Sequence, residues 1–373
     1  MAIADKLDRR GKKKLLALDG GGIRGMITVE VLGRIESLLR ERTGRPELVL
    51  GDWFDYVAGT STGAIIATCV SLGMSVDEIR GFYLDSGKQM FDRAHLLDRL
   101  HYKFNDEPLA LMLKQVIGEA TTLGSDRLRT LLMLVLRNAT TDSPWPLSNN
   151  PGALYNRQDL HNCNLELPLW RLVRASTAAP TYFPPEQIPV GKDTFVFVDG
   201  GVTMYNNPAF QLFLMATVEP YRLEWETGED RMLVVSVGTG TAANANRGLR
   251  PGEMNLLYNA GSIPSALMFA ALNEQDFLCR VFGKCLAGPP LDGEVEDMIG
   301  KRGPADPKLF TYLRYNAELT REGLDALGLS RIQPRDVQQL DSVDHVDELA
   351  EVGRRVAERQ VESRHFAGFA SPD

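Results

Sequence analysis

Short apolar runs alternate along this chain with segments whose apolar residues recur at helical spacing. The run at 15–18 leads into a glycine-rich turn, after which apolar residues from Ile27 to Leu39 follow the period of a helix. The run at 54–58 leads into a second turn and an Ala/Ile-rich segment in the same way. Two strand-turn-helix units in succession predict an α/β fold with a mostly parallel central sheet and helices on both faces.

Later segments extend this pattern. The sequence predicts strands at 131–136, 194–198 and 232–237, and helices within 76–119, at 169–177 and at 345–361. The segment 241–310 contains too many turn-forming residues for its elements to be assigned. Because the sequence shows neither an internal repeat nor a clear linker, we expect a basic tail at 1–14 followed by a single domain at 15–373. The recognisable motifs of this domain lie within 15–240.

The composition is that of an ordinary globular protein. Of 373 residues, 44% are hydrophobic and 24% are charged, which excludes the disordered and collagen-like classes. The four cysteines have no paired short spacings, so we expect reduced thiols and no zinc site. They are Cys69, Cys163, Cys279 and Cys285.

The net charge of −8 disfavours nucleic acid as a partner, because attraction to phosphates requires a clustered basic face. Six basic residues between positions 6 and 14 form a local exception. A solvated tail is the simpler interpretation, and attraction to an anionic membrane surface is the alternative. We find no signal-peptide core and no uncharged apolar stretch of about 18 residues. We therefore expect a cytoplasmic protein, with peripheral contact to the inner membrane left open.

The pentapeptide G-T-S-T-G at 59–63 fits the pattern G-x-S-x-G. Its physical basis is a sharp turn from strand to helix, in which only Gly59 and Gly63 leave room for a serine that points into a cleft. The pattern alone is weak, but here it stands between an apolar run and a helical segment, which is the context that the turn requires. We therefore interpret Ser61 as a nucleophile. The alternative is a tight turn whose serine only caps the next helix.

The segment G-G-G-I-R-G at 20–25 satisfies G-x-G-x-x-G, the pattern of a dinucleotide-binding turn. Two features count against a dinucleotide: Asp19 directly precedes the first glycine, and no acidic residue closes a second strand about 20 positions later. Glycine amides at a helix start can instead hold the oxyanion of an acyl-transfer intermediate. The residues assigned to this oxyanion hole are Gly20, Gly21, Gly22 and Arg24. The Arg24 side chain would either add positive charge there or pair with a carboxylate.

A nucleophilic serine needs a base that takes its proton. None of the five histidines follows a strand end with neighbouring turn residues, so solvent exposure is the simpler interpretation for each. They are His95, His101, His161, His345 and His365. Asp199 differs, because it ends an apolar strand and precedes two glycines that let the chain turn. Shielding from water raises the pKa of such a carboxylate, which makes a Ser-Asp dyad chemically reasonable. The alternative is an ordinary Asp-Gly turn.

Three motifs in this order, D-G-G-G-x-R-G, G-T-S-T-G and D-G-G, resemble those of the patatin-like phospholipases. The similarity runs from about residue 15 to residue 240 and includes A-S-T-A-A-P-T-Y-F at 175–183. It implies a three-layer α/β/α sandwich that uses no metal or organic cofactor. It also implies Ser61 as the nucleophile, Asp199 as the base of the dyad and the glycine turn as the oxyanion hole.

The resemblance further implies a serine lipid acyl hydrolase of the phospholipase A or lysophospholipase type, acting on phospholipid at a membrane surface. Two alternatives are a carboxylesterase for small esters and an effector phospholipase that is idle until a signal arrives. An activating ligand or protein and a homo-oligomer are left open. Apolar residues of 76–119 and 255–286 either line an acyl channel or belong to the core. Any regulatory surface would have to lie within 241–373.

Overall fold

Nine strands form one mixed sheet within residues 3–90, 107–180, 182–242 and 256–370, which are the parts of the chain that the computed structural model describes. The strands are β1 (Lys13–Leu18), β2 (Tyr56–Thr60), β3 (Leu131–Asn138), β4 (Ser143–Ser148), β5 (Glu186–Val190), β6 (Asp193–Asp199), β7 (Met232–Val237), β8 (Gly283–Ala287) and β9 (Phe310–Tyr315). Their order is β5-β6-β3-β2-β1-β7-β9-β8, with β4 also paired to β3. Pairs among β1, β2, β3, β7, β8 and β9 are parallel, and pairs that involve β4, β5 or β6 are antiparallel.

Helices cover both faces of this sheet. They are α1 (Ile3–Lys6), α2 (Gly25–Thr43), α3 (Leu50–Trp53), α4 (Thr62–Ser71), α5 (Val76–Met90), α6 (Glu107–Ile117), α7 (Leu169–Ser176), α8 (Ala209–Thr217), α9 (Leu256–Phe282), α10 (Arg321–Ala326), α11 (Pro334–Gln338) and α12 (Val346–Gln360). Side chains of β1 point alternately to two apolar clusters, as expected for a strand. Leu16 and Leu18 pack in the cluster that contains α2 and α12, whereas Leu15 and Ala17 pack in the one that contains α8. The predicted α/β fold with a mostly parallel sheet is confirmed.

All five strands that the sequence predicted are present, as β1, β2, β3, β6 and β7. Four further strands, β4, β5, β8 and β9, were not predicted. β4 contains Pro144 and Pro146, which lack an N–H donor and made this segment resemble a loop. The predicted helix at 345–361 is α12, and the one at 169–177 is α7. The helices expected within 76–119 are α5 and α6, while 91–106 lies outside the described residues.

The basic N-terminal segment is packed against the sheet rather than solvated. The Lys6 Nζ donates to the carbonyl of Phe54 and to Asp55 Oδ1, each at 3.0 Å, and Lys6 is 2% exposed. Lys13 is also buried, with its Nζ over the ring of Trp225, and burial lowers its pKa. The expectation of a solvated tail at 1–14 therefore fails for these two lysines. For Lys6 the reason is that Asp55 supplies a buried carboxylate partner, which local sequence does not reveal. The Lys13 Nζ instead donates to the carbonyl of Lys6 at 3.3 Å.

Two strands meet end to end along one edge of β3. β2 runs parallel to β3 and its last residue, Thr60, lies opposite Val135. β6 runs antiparallel to β3 and ends with Asp199 opposite Leu136, the next residue along. β4 pairs with residues 133–138 of β3, on both sides of this junction, and so occupies its other edge. The residue after β2 and the last residue of β6 are thereby brought to adjacent positions.

Candidate functional site

Ser61 occupies the sharp turn between β2 and α4. Its backbone has φ 55° and ψ −123°, a conformation that is strained for a residue with a side chain. A Cβ on Gly59 would lie 2.0 Å from the carbonyl oxygen of Gly63, and a Cβ on Gly63 would lie 2.3 Å from that of Leu18. Both glycines of the pentapeptide are therefore required by close backbone contacts. The Ser61 side chain makes no capping hydrogen bond to α4, so the helix-cap alternative does not describe it.

The Ser61 hydroxyl is bonded to Asp199. Its Oγ donates to Asp199 Oδ2 at 2.6 Å, and the Gly201 amide donates to Asp199 Oδ1 at 2.6 Å. Asp199 is 4% exposed, and this burial raises its pKa to about 6, although both hydrogen bonds act in the opposite direction. The structure thus brings together the two residues that the sequence assigned as nucleophile and base. A carboxylate with this pKa is ionised at neutral pH and basic enough to accept a proton.

A buried serine that the sequence analysis did not single out holds the backbone of this turn. The Ser61 amide donates to Ser176 Oγ at 3.0 Å, and this hydroxyl donates in turn to the carbonyl of Val135 at 2.6 Å. Ser176 is the last residue of α7 and is fully buried. It links the nucleophile turn to β3 at the point where β2 ends. The segment 175–183 contributed to the family resemblance as a whole, but nothing in it marked this particular hydroxyl.

The glycine turn lies beside Ser61. The Gly20 amide donates to the carbonyl of Asn206 at 3.1 Å, so it is already occupied. Within the described chain, the amides of Gly21 and Gly22 donate to no protein atom. A Cβ on Gly21 would lie 2.1 Å from Thr239 Oγ1, which explains why a glycine is needed at this position. Of the four residues assigned to an oxyanion hole, Gly21 and Gly22 are the ones whose amides are available.

One further amide can act with them. Thr62 is the first residue of α4, where a backbone N–H has no intrahelical acceptor. Thr62 lines the same cavity as Gly21 and Gly22. The residue after the elbow serine commonly supplies an oxyanion donor, so the pentapeptide itself contained the signal for this residue.

Arg24 contacts backbone carbonyls rather than a carboxylate. Its Nε donates to the carbonyl of Gly21 at 3.4 Å and its Nη1 to that of Gln338 at 3.2 Å. Burial lowers the pKa of Arg24 to about 10, opposed by the nearby charge of Asp19. Asp19 itself is held by Arg314, whose two terminal nitrogens donate to the two carboxylate oxygens at 2.9 and 2.6 Å. The motif aspartate is therefore part of a buried ion pair behind the turn.

These residues open into a cavity of about 700 Å³. Its polar side is formed by the glycine turn, Ser61 and Asp199, and most of the remaining wall is apolar. The apolar lining residues include Ile65, Tyr83, Leu109, Tyr182, Phe183, Val202, Met268 and Leu340. Tyr83, Leu109 and Met268 belong to the two segments for which the sequence left an acyl channel and a core role open, and they line the cavity. The contribution of Leu340 was not anticipated.

No histidine in the described part of the chain lines this cavity. His161 is exposed, and His345 Nδ1 lies 3.4 Å from Glu348 Oε1 at the start of α12. His365 is buried, with its Nδ1 2.8 Å from the hydroxyl of Tyr315, so the expectation of solvent exposure is wrong for this residue. The reason is that the 3-10 turn at Ser363–Phe366 folds back onto β9. His95 and His101 lie outside the described residues.

Within the described ranges, no three His, Cys, Asp or Glu side chains are grouped so that they could hold a metal ion. The four cysteines are buried free thiols. None of the helices that the structure describes is both long and apolar enough to cross a bilayer.

Comparisons with known proteins give one family. A sequence model described as patatin-like phospholipase matches residues 16–213, just over half of the chain. The chain is 29% identical over 234 residues to a cGAMP-activated phospholipase of Escherichia coli (strain TW11681), covering 61% of this chain and 62% of that protein. It is 27% identical over 322 residues to Patatin-like protein 1 of Arabidopsis thaliana, covering 74% of this chain and 75% of that protein.

A third relative is the 85/88 kDa calcium-independent phospholipase A2 of Rattus norvegicus. It is 30% identical over 249 residues, which cover 62% of this chain and 28% of the rat protein. The aligned part therefore spans less than two thirds of both the Escherichia coli and the rat relative.

Proposed function

Because this chain belongs to the patatin-like phospholipase family, we propose that it is a serine lipid acyl hydrolase of the phospholipase A or lysophospholipase type. The observation that carries the proposal is the 2.6 Å hydrogen bond from Ser61 Oγ to the buried carboxylate of Asp199. A serine bonded to a base beside available glycine amides is the arrangement that acyl transfer needs. The apolar cavity around it suits an acyl chain.

The first half of the reaction forms an acyl-enzyme. An ester carbonyl lies over the glycine turn, and Ser61 Oγ attacks its carbon while Asp199 Oδ2 takes the hydroxyl proton. The amides of Gly21 and Gly22 donate to the oxyanion of the tetrahedral intermediate, and loss of one such donor typically costs about 10²- to 10³-fold in turnover. The intermediate collapses when the bond to the glycerol oxygen breaks and Asp199 returns the proton to that oxygen.

The second half releases the fatty acid. Asp199 takes a proton from a water molecule, and the hydroxide attacks the acyl carbon on Ser61. The second tetrahedral intermediate uses the same amides, and its collapse returns the proton from Asp199 to Ser61 Oγ. The products are a free fatty acid and a deacylated glycerolipid. Every proton in this cycle is moved by Asp199.

The proposed substrate is a glycerophospholipid or lysophospholipid presented at a membrane surface. Aliphatic and aromatic side chains line the cavity next to Ser61, and this lining is suited to an acyl chain rather than to a charged group. Peripheral contact with the inner membrane from the cytoplasmic side is part of this proposal. A carboxylesterase for small esters would use the same dyad, and the size of the cavity favours the longer chain.

The proposal is tested by incubating the purified protein with defined phospholipids and lysophospholipids that differ in head group and acyl chain. Released fatty acids are identified by mass spectrometry, with Ser61→Ala as the control. We expect release from long-chain lipids that is abolished in the variant. Hydrolysis of short esters such as p-nitrophenyl butyrate without release from any lipid would favour the small-ester alternative.

Activation by a ligand is a second proposal, because one relative is named a cGAMP-activated phospholipase. The effector alternative predicts that fatty-acid release rises at least about tenfold when a cyclic dinucleotide is added. Equal release with and without cyclic dinucleotides at saturating lipid would argue against it for that ligand class.

A further inference from the structure

A segment far beyond the matched residues 16–213 is bonded to the glycine turn. The Ile23 amide donates to the carbonyl of Leu340 at 2.9 Å, and Arg24 Nη1 donates to that of Gln338 at 3.2 Å. The contact is close, because a Cβ on Gly22 would lie 2.2 Å from the carbonyl oxygen of Leu340. We call residues 338–340 the strap.

The strap holds the turn on both sides of Gly22. On one side, Arg24 joins the carbonyl of Gly21 to the strap, since its Nε donates to Gly21 while its Nη1 donates to Gln338. On the other side, the amide of Ile23 is bonded directly to the strap. Gly22 has φ +60°, which glycine adopts easily. In an unrestrained turn, however, glycine would also adopt many other backbone conformations. These bonds therefore restrict the direction of the Gly22 amide, which shares a peptide plane with the Gly21 carbonyl.

The strap is in turn fixed to the sheet. The side-chain Nε2 of Gln338 donates to the carbonyl of Leu319, which lies in the segment that follows β9. The amide of Leu319 donates in turn to the carbonyl of Thr241, which lies just after β7. The turn, the strap and the ends of β7 and β9 thus form one hydrogen-bonded unit. Leu340 also lines the cavity, so the strap reaches the site itself.

We propose that the strap is a positioning element of the oxyanion hole and that Arg24 is a positioning residue which ties the glycine turn to it. The inference rests on the proposed function. Oxyanion donors act only when they are held where charge develops, and a displacement of about 1 Å can cost about 10²-fold in rate. The cationic group of Arg24 faces two backbone carbonyls, so its role is to fix the Gly21 peptide rather than to bind the reacting oxygen.

The test compares three variants of the full chain. Gln338→Met removes the donor that fixes the strap but keeps the length of the side chain. Arg24→Lys keeps the charge but loses the planar fork that serves two carbonyls. Gln333→Met is the matched control. Gln333 precedes α11, its side chain is exposed, and it makes no capping hydrogen bond to that helix. Circular dichroism and melting temperature verify that each variant is folded.

Turnover is measured on a phospholipid and on a phosphate-free ester with the same acyl chain. We expect Gln338→Met and Arg24→Lys to lower kcat by about tenfold or more on both substrates, with KM changed less than about twofold. Gln333→Met should match the unmodified protein.

A second readout separates positioning from general packing. A trifluoromethyl ketone with the same acyl chain forms an oxyanion adduct with a nucleophilic serine, whereas the corresponding alcohol only occupies the cavity. We expect the two variants to weaken ketone binding by the factor lost in kcat and to leave alcohol binding unchanged. Because the ratio of the two affinities is taken within each variant, it does not depend on the folded fraction.

The inference is overturned if both variants retain the kcat and the ketone affinity of the unmodified protein. It is also overturned if ketone and alcohol lose affinity equally, which indicates a packing role alone. An increase in KM confined to the phospholipid in Arg24→Lys would overturn the role of Arg24, since that residue would then bind the phosphate. An unmodified protein that hydrolyses neither substrate contradicts the proposed function itself, and the inference falls with it.

Discussion

Ser61 Oγ and Asp199 Oδ2 lie 2.6 Å apart because the C-terminal ends of β2 and β6 meet along one edge of β3. The residues are separated by 138 positions in the sequence. The register of β2 and β6 on β3 differs by one residue at the junction, so the parallel strand delivers the serine and the antiparallel strand delivers the carboxylate. The dyad is thus a property of sheet register, and Ser176 strengthens it by bonding the Ser61 amide to the carbonyl of Val135.

The pH dependence of catalysis follows from the raised pKa of Asp199. Burial raises this pKa to about 6, and only the ionised carboxylate can take the Ser61 proton. We expect kcat/KM to be constant above about pH 7 and to fall about tenfold per pH unit below pH 6. The measurement is a pH-rate profile on a neutral, soluble ester. A profile that stays flat down to pH 4.5, with the protein still folded, would exclude Asp199 as the base.

The same carboxylate affects stability in the opposite direction from an ion-paired aspartate. Its folded-state pKa lies above the unfolded value of about 3.9, so the folded state binds the proton more tightly. Stability is therefore lost as the pH rises from about 4 through about 6, and the ionised group destabilises the fold at pH 8. We expect Asp199→Asn to raise the free energy of unfolding at pH 8, by at most about 3 kcal/mol. The gain should vanish near pH 4.

Chemical denaturation at pH 4, 6 and 8 measures this difference. Asp193→Asn, at the exposed opposite end of β6, is the control and should show no comparable pH-dependent gain. A variant at position 199 that is equally destabilised at all three pH values would show that burial of the charge carries no cost.

Ser176→Ala removes the hydroxyl that joins the nucleophile turn to β3. It leaves the Ser61 amide and the carbonyl of Val135 without this partner, which should cost about 1–3 kcal/mol of stability. Because the strained backbone of Ser61 loses an anchor, we also expect kcat to fall about tenfold. Ser71→Ala is the matched control, since Ser71 is equally buried and bonds Thr130, and neither residue lines the cavity. It should lose stability but keep kcat, and identical kcat values for the two variants would deny Ser176 a positioning role.

Histidine is dispensable in this account. His345→Ala should retain activity within about tenfold, because His345 faces Asp336 and Glu348 rather than the cavity. Loss of a histidine from a Ser-His-Asp triad would instead cost about 10⁴- to 10⁶-fold. Steady-state kinetics with Ser61→Ala as the benchmark decide between these values. If His345→Ala were as inactive as Ser61→Ala at an unchanged melting temperature, the dyad would have to be withdrawn.

Local patterns predicted the elements that carry chemistry. The glycines at 59 and 63 are required by close backbone contacts, and such contacts leave a recognisable spacing in the sequence. The central strands were predicted because a parallel strand that is buried on both faces is continuously apolar, as in β3 and β7. β4 was not predicted, because its two prolines are unusual in a strand. It is a strand only through its pairing with β3.

Long-range partners were not predictable from these patterns. Lys6 was expected in solvent because it lies in a basic cluster, yet Asp55 neutralises it in the interior. Arg24 was expected to add charge or pair with a carboxylate, yet its long-range acceptor is the carbonyl of Gln338. The motif aspartate is paired with Arg314, which lies 295 residues away. Each of these contacts depends on tertiary packing and leaves no periodic signal.

The central claim is that Ser61 attacks while Asp199 takes its proton, and labelling by a fluorophosphonate probe tests it most directly. The probe is added to the unmodified protein and to Asp199→Asn, and intact mass with peptide mapping gives the site and rate of modification. We predict a single adduct on Ser61 that is absent in Ser61→Ala and forms at least about 10²-fold more slowly in Asp199→Asn. Labelling that persists in Ser61→Ala, or an unchanged rate in folded Asp199→Asn, would contradict the account.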